Sequence, residues 1–286
     1  MKRFLILIIA AVIAVGTTAG CRASERSAND KAVGGTEQAK PANADNKTLA
    51  NKADENKPAT KSEVLWDFRK DDFSKSPTFS KSETEAVVKY LFGEGASAKI
   101  EIRDRISGAF TKPNAKETLY YLTGCEDETS GQFTTDCPHV SWDSVGWIAI
   151  YHGTTPVLKI EQPLGYSVEK VTDVNGDGKN EFLSFGGYAQ GGIQTGGAAL
   201  GQISDGKYEE IKSFKGYADN CAFGVQTADK LAAKAVVIKY VSTSGGKMPE
   251  FTEEYFRGQC KNEAVDKSSW KATTKKDFED FFDSLS

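Results

Sequence analysis

The sequence predicts a mainly β fold of antiparallel sheets, sandwich-like and with short N- and C-terminal helices, on three observations. Between Thr118 and Phe256 lie nine short runs rich in β-branched or aromatic residues, each bounded by Gly, Pro, Asp or Asn. Two of these runs are joined by Asp205-Gly206, a strong two-residue hairpin signal. Helical periodicity is confined to two stretches, one before Pro113 and one at the C-terminus.

The first helix is expected where Ser82-Glu83-Thr84-Glu85 sets Ser and Glu at capping-box spacing; Ala86, Val87, Tyr90 and Leu91 follow at helical intervals, and Gly93 stops it. Strands are expected over Thr118 to Leu122, Gly146 to Tyr151, Val157 to Ile160, Ser167 to Val171 and Phe182 to Phe185. Four more follow at Ala198 to Ile203, Tyr208 to Phe214, Ala235 to Val241 and Phe251 to Phe256. The glycine pairs Gly186-Gly187, Gly191-Gly192 and Gly196-Gly197 read as a flexible crossing between strands, and no Gly-Lys-Ser/Thr follows to make a phosphate loop. Finally Phe278, Phe281, Phe282 and Leu285 recur at i, i+3, i+4 and i+7 among acids, the stripe of a helix that packs onto a sheet.

Three segments organise the chain. Lys2 and Arg3 precede the apolar run Phe4 to Val15, and small residues from Gly16 to Gly20 end on Cys21. That run is too short to span a bilayer and has the layout of a signal peptide, expected over residues 1–20. Thr18-Ala19-Gly20-Cys21 resembles the lipobox of bacterial lipoproteins. The resemblance implies that Cys21 is lipidated and becomes the N-terminus of a protein of the bacterial cell envelope, anchored to membrane through its acyl chains. Arg22 stands where such proteins carry an Asp for inner-membrane retention, which implies the outer membrane. Residues 21–62 form the second segment, a lipidated cysteine and a tether of Ala, Lys, Asn, Glu, Asp, Ser and Thr without an aromatic residue, a composition that cannot bury a core. Its 41 residues after Cys21 give the folded part a reach of roughly 35 Å.

Residues 63–286 are expected to be a single β-rich globular domain. The whole chain carries −4, and removing the +2 of the signal and the +2 of the tether leaves −8 on this domain. Such an acidic domain disfavours nucleic acid as a partner.

Four cysteines remain besides Cys21. In an oxidising compartment Cys125, Cys137, Cys221 and Cys260 read as two disulfides with three possible pairings. Cys125 with Cys137, closing a polar loop that contains Glu126, Asp127, Glu128 and Asp136, and Cys221 with Cys260 are favoured. A zinc site from Cys125, Cys137, His139 and His152 lacks the short cysteine spacing of structural zinc. Cys137-Pro138-His139 lacks the second cysteine of a dithiol redox centre, because Val140 follows.

The stretch Asp173-Val174-Asn175-Gly176-Asp177-Gly178-Lys179-Asn180-Glu181 carries the clearest chemistry. Oxygen-bearing side chains fall at positions 1, 3, 5 and 9, a glycine at position 6 and a main-chain carbonyl at Lys179. Ca2+ is a hard cation taking six to eight oxygens, which such a loop wraps around one point. Ser184 stands where an EF-hand has its bidentate Glu, and both flanks are strand-like. The stretch from Val171 to Gly187 resembles instead the calcium loop of FG-GAP (integrin-propeller-like) repeats. That resemblance implies side-chain ligands Asp173, Asn175, Asp177 and Glu181, a main-chain ligand at Lys179 and a degenerate propeller-like fold as the alternative to a sandwich. A complete propeller is not expected, since the loop occurs once.

Among enzyme signatures, no Gly-x-Ser-x-Gly, HExxH or paired Cys-His nucleophile motif occurs. The expected function is a non-catalytic envelope module that binds a protein or polysaccharide and is stabilised by calcium. The alternative is an exported hydrolase of envelope polymers that uses carboxylates.

Overall fold

A computed structural model of the chain describes residues 62–285 apart from 71–76, 95, 97–99, 128–131, 138–144 and 223–230. The expected signal peptide, Cys21, His139 and all but the last tether residue lie outside the described residues.

Strand β1 (Glu63–Asp67) and helix α1 (Lys81–Phe92) come first. They are followed by β2 (Asp104–Gly108), β3 (Glu117–Glu126), β4 (Phe133–Thr134), β5 (Val145–His152) and β6 (Thr155–Glu161). Next are β7 (Ser167–Lys170), β8 (Phe182–Gln190), β9 (Ile193–Ser204) and β10 (Lys207–Asp219). The chain closes with β11 (Ala232–Tyr240), β12 (Phe251–Lys261), β13 (Ala264–Thr273) and α2 (Lys275–Leu285). All pairings are antiparallel: one sheet runs β2-β3-β5-β6 with β4 on β3, the other β13-β12-β11-β10-β9-β8-β7 with β1 on β11. The fold is mainly β, as expected, and the two sheets share a core as in a sandwich.

The smaller sheet is apolar on both faces because it has a neighbour on each. Alternation along β3 and β5 sends Leu119, Tyr121, Ile148 and Ile150 into a core shared with Val168 on β7, Phe182 on β8 and Ile203 on β9. Leu122, Ala149 and Tyr151 point the other way, against Val87 and Leu91 of α1. That helix is capped at Ser80, whose hydroxyl accepts from Glu83 N at 3.2 Å. The Ser-x-x-Glu spacing is therefore the one beginning at Ser80, two residues before the expected cap at Ser82.

In the larger sheet, β11 is buried along nearly its whole length and its one edge is divided between two strands. Tyr217 to Asp219 of β10 pair with Ala235 to Ala233, and β1 pairs with Val237 to Tyr240. Phe68, just past β1, lays its ring over Gly216 of β10 where the two strands part; a Cβ on Gly216 would overlap that ring. Helix α2 starts at a Thr274 hydroxyl that accepts from Asp277 N at 3.1 Å. It buries Phe278 against Tyr255, with ring centroids 5.4 Å apart, as its stripe predicts. Lys234 of β11, only 3% exposed, donates to Asp277 O at 2.7 Å and pairs with its carboxylate, so this buried cation is both paired and hydrogen-bonded.

The glycine-rich segment is not a flexible crossing. It is the β8–β9 hairpin, in which Gly186 faces Gly197, Gly187 faces Gly196, and Gly191-Gly192 make the turn with φ of 61° and 83°. Asp205-Gly206 turns β9 into β10, also with positive φ at both residues. The two disulfides are the favoured pairs: Cys125 with Cys137, Cα atoms 5.9 Å apart, and Cys221 with Cys260, 5.2 Å apart. The second ties the end of β10 to β12 across β11. The described residues belong to one compact unit.

Candidate metal centre

The Asp173–Glu181 loop joins β7 to β8 and is closed at its base by Val171 N donating to Glu181 O at 3.1 Å. Between these ends the chain curls because Asp and Asn side chains compete for its own amides. Asp173 Oδ1 accepts from Gly176 N at 2.6 Å and Asp177 N at 3.2 Å, while Oδ2 accepts from Gly178 N at 2.8 Å. Asn175 Oδ1 accepts from Asp177 N at 2.9 Å, and Asp177 Oδ1 from Lys179 N at 2.8 Å. Gly176 and Gly178 take φ of 70° and 84°, and a Cβ on Gly176 would press on the Thr243 carbonyl.

These turns gather the acids. Asp173, Asp177 and Glu181 each offer a carboxylate oxygen within 4.8 Å of the others. Ligands around one calcium ion lie 2.3–2.6 Å from it, so opposite ligands are about 5 Å apart at most, and the three oxygens fit one coordination sphere. Each carboxylate oxygen has two lone-pair sites, which leaves acceptor capacity on Asp173 and Asp177 beyond their amide bonds. Asn175, 2% exposed, is enclosed in the same loop. Lys179 is expected to contribute its carbonyl; its ammonium group reaches Ile203 O at 3.2 Å and Asp177 Oδ2 at 3.5 Å.

Glu181 is the deepest of the set at 1% exposure, and its Oε2 accepts from Val174 N at 3.0 Å. Burial pushes its pKa up to about 7; Asp173 and Asp177 push the same way, and the Val174 N–H opposes them. Three carboxylates converge here, and among the described residues only Lys179 pairs with one of them. A divalent cation is the counter-charge such a cluster lacks, and the donor set, all oxygen, suits Ca2+.

Residues outside the motif hold the loop between the two sheets. From the β2–β3 connection, Ala109 exchanges bonds with Asn180: Asn180 N donates to Ala109 O at 2.6 Å, and Ala109 N to Asn180 Oδ1 at 2.9 Å. Asn114 N donates to Gly178 O at 2.9 Å. That connection is shaped by Glu117, 3% exposed, whose Oε2 accepts from Phe110 N at 2.7 Å and Thr111 N at 2.8 Å. From the β11–β12 connection, Thr243 N donates to Val174 O at 3.3 Å and Gly246 N to Asn175 O at 3.0 Å. Val174 itself is fully buried in the core of the larger sheet, so the loop is pinned by an apolar anchor as well.

The chain matches no protein-family model, no curated protein and no solved structure. The site therefore stands on its own geometry. The other metal arrangement weighed from sequence fails on chemistry: Cys125 and Cys137 are bonded to each other, so neither thiolate is left for zinc. Exposed His152 lies at the end of β5. Sequence reasoning missed Val174, Asn180, Asn114, Thr243 and Gly246. Only Asn180, a polar residue between two ligand positions, left any local signal.

Proposed function

We propose that the protein is a lipid-anchored component of the bacterial cell envelope, held at the outer membrane on its tether. Its folded domain is a non-catalytic module that binds a protein or polysaccharide, and calcium in the Asp173–Glu181 loop is structural. The observation that carries the calcium reading is that one loop with three converging carboxylates is hydrogen-bonded to both the β2–β3 and the β11–β12 connections. An ion there braces the junction of two sheets. The anchoring reading rests on the Lys2 to Cys21 sequence pattern.

Two measurements test this. Titration calorimetry of the full chain in detergent is expected to give calcium binding in the range of about 10⁻⁴ to 10⁻³ M, as for extracellular modules, and none with Asp177→Ala. Membrane fractionation is expected to release Cys21→Ala protein into the soluble fraction. A Cys21→Ala chain that still pellets with membrane contradicts the anchor, and equal calcium binding by Asp177→Ala contradicts the site.

A further inference from the structure

A cavity of about 440 Å³ opens beside the smaller sheet, lined by Phe79 and Thr84 at the start of α1, by Glu101 and Arg103 before β2, and by Tyr166 before β7. That size lies within the roughly 300–1,000 Å³ of small-molecule sites. Thr135 and Cys137 close one side, so the Cys125–Cys137 disulfide fixes part of the wall.

Arg103 is set into this wall by two bonds. Its backbone N donates to Tyr121 O at 2.8 Å, continuing the pairing along β3, and its Nε donates to Tyr166 O at 2.8 Å. The two terminal amino groups of the guanidinium form no ion pair among the described residues, whereas Arg69 and Arg105 are taken up by Asp67 and Glu83 at 2.8 and 2.7 Å. Asp104 lies next along the chain and attracts the guanidinium without a direct ion pair, its Oδ2 accepting from Val168 N at 2.9 Å. In a domain carrying −8, a partly buried guanidinium with an open fork stands out. Its planar fork matches a carboxylate or phosphate in bidentate fashion.

The other linings choose between those anions. Glu101, two residues before Arg103, lines the same cavity, so a doubly charged phosphate meets repulsion that a single carboxylate does not. A carboxylate group accepts hydrogen bonds, and hydroxyl groups beside it can be read by Glu101 as donors and by the Thr84 hydroxyl as either partner. The Phe79 ring and Tyr166 supply apolar walls for a sugar ring.

We propose that this cavity binds a uronic-acid residue of an acidic polysaccharide, its carboxylate on Arg103 and its hydroxyls on Glu101 and Thr84. The inference rests on the binding-module reading and names its ligand class.

The test is titration calorimetry of the full chain in detergent with matched probes: methyl β-glucuronide, methyl β-glucoside, glycerate and inorganic phosphate. Methyl β-glucuronide is expected to bind, with the glucoside weaker by about tenfold or more, the loss of one charge-assisted bidentate contact. Arg103→Gln is expected to lose at least about tenfold in glucuronide affinity, and Arg103→Lys to recover little of it, because an ammonium group cannot form the fork. Since Arg103 also holds Tyr166 O, Thr84→Val provides a second variant, expected to weaken glucuronide binding several-fold with an unchanged melting midpoint. No glucuronide binding at millimolar concentration overturns the proposal, as does equal binding by Arg103→Gln. Tighter binding of phosphate overturns the carboxylate assignment, and equal binding of glycerate overturns the saccharide assignment. Melts with and without calcium on the same preparations separate the two readings. A calcium-dependent midpoint without glucuronide binding sinks the cavity assignment alone, while neither response sinks both.

Discussion

Replacing Val174 by Ala tests whether the loop is anchored from inside the molecule. Val174 is fully buried at the second position of the loop, in the core that also holds Val171, Leu183 and Phe185. The substitution removes two methyl groups, about 1.6 kcal/mol of transfer free energy at 0.8 kcal/mol each. Incomplete collapse of the surrounding side chains adds a cavity contribution, bringing the cost to about 2–3 kcal/mol. For a domain of this size each kcal/mol moves the melting midpoint by about 2–4 °C, so a fall of about 5–10 °C is expected in a chelator-containing thermal melt of the full chain. The backbone of the same residue donates to Glu181 Oε2 and accepts from Thr243 N, so a loosened Val174 also weakens calcium binding in calorimetry. A midpoint within about 2 °C of wild type would refute the anchor, because that corresponds to less than about 1 kcal/mol. An unchanged calcium affinity beside a lowered midpoint would show that the anchor stabilises the fold without shaping the ion site.

Removing the Cys221–Cys260 disulfide, which closes a loop of 39 residues in sequence separation, is expected to cost about 4 kcal/mol by chain entropy. Losing Cys125–Cys137, with a separation of 12, costs about 3, and denaturant melts of the two double-alanine variants check that order. Asp104 has its pKa raised to about 6 by burial, with Glu169 adding to the shift and the Val168 N–H and Arg103 opposing it. Folded Asp104 thus holds its proton more tightly than the unfolded chain does, and its contribution to stability is present below about pH 4 and lost as pH rises through about 6. Asp104→Asn should therefore gain stability relative to wild type between pH 4 and 7 by on the order of 1–3 kcal/mol, whereas parallel stability curves would reject the effect. Gly216→Ala puts a Cβ into the Phe68 ring and should cost about 1–3 kcal/mol, measured by denaturant unfolding.

Some elements declare themselves in the sequence and others do not. Strands with one or both faces buried, such as β3, β5 and β11, carry enough Ile, Val, Leu and aromatic residues to announce themselves, although β3 and β5 extend past both expected limits and β11 starts earlier, at Ala232, and ends at Tyr240. Strands β1, β2, β4 and β13 were not expected. β13 is an edge strand with no fully buried residue, β4 has only two residues, and β1 and β2 have five each, so tertiary pairing and not composition decides them. The glycine pairs misled for a physical reason: glycine signals freedom in an isolated chain, yet at Gly187 it permits close approach of the Thr195–Gly196 backbone in a paired hairpin. At the Asp173–Glu181 loop, the convergence of Asp173, Asp177 and Glu181 was legible because all nine residues are local, as were the two disulfide pairs. The supports from Ala109, Asn114, Thr243 and Gly246 were not, because they arrive from distant parts of the chain through backbone atoms that every residue type possesses. Arg103 likewise reads as an ordinary surface cation until its neighbours are placed around it.

The most direct test of the central claim, that calcium braces the junction of the two sheets, is a thermal melt of the full chain in calcium or chelator, with Asp177→Ala alongside. At free calcium ten times the dissociation constant, binding to the folded state alone contributes about 1.4 kcal/mol, a rise of about 3–6 °C that should vanish in Asp177→Ala. Identical midpoints in millimolar calcium and in chelator would contradict the claim and reduce Asp173–Glu181 to a turn held by its own amides.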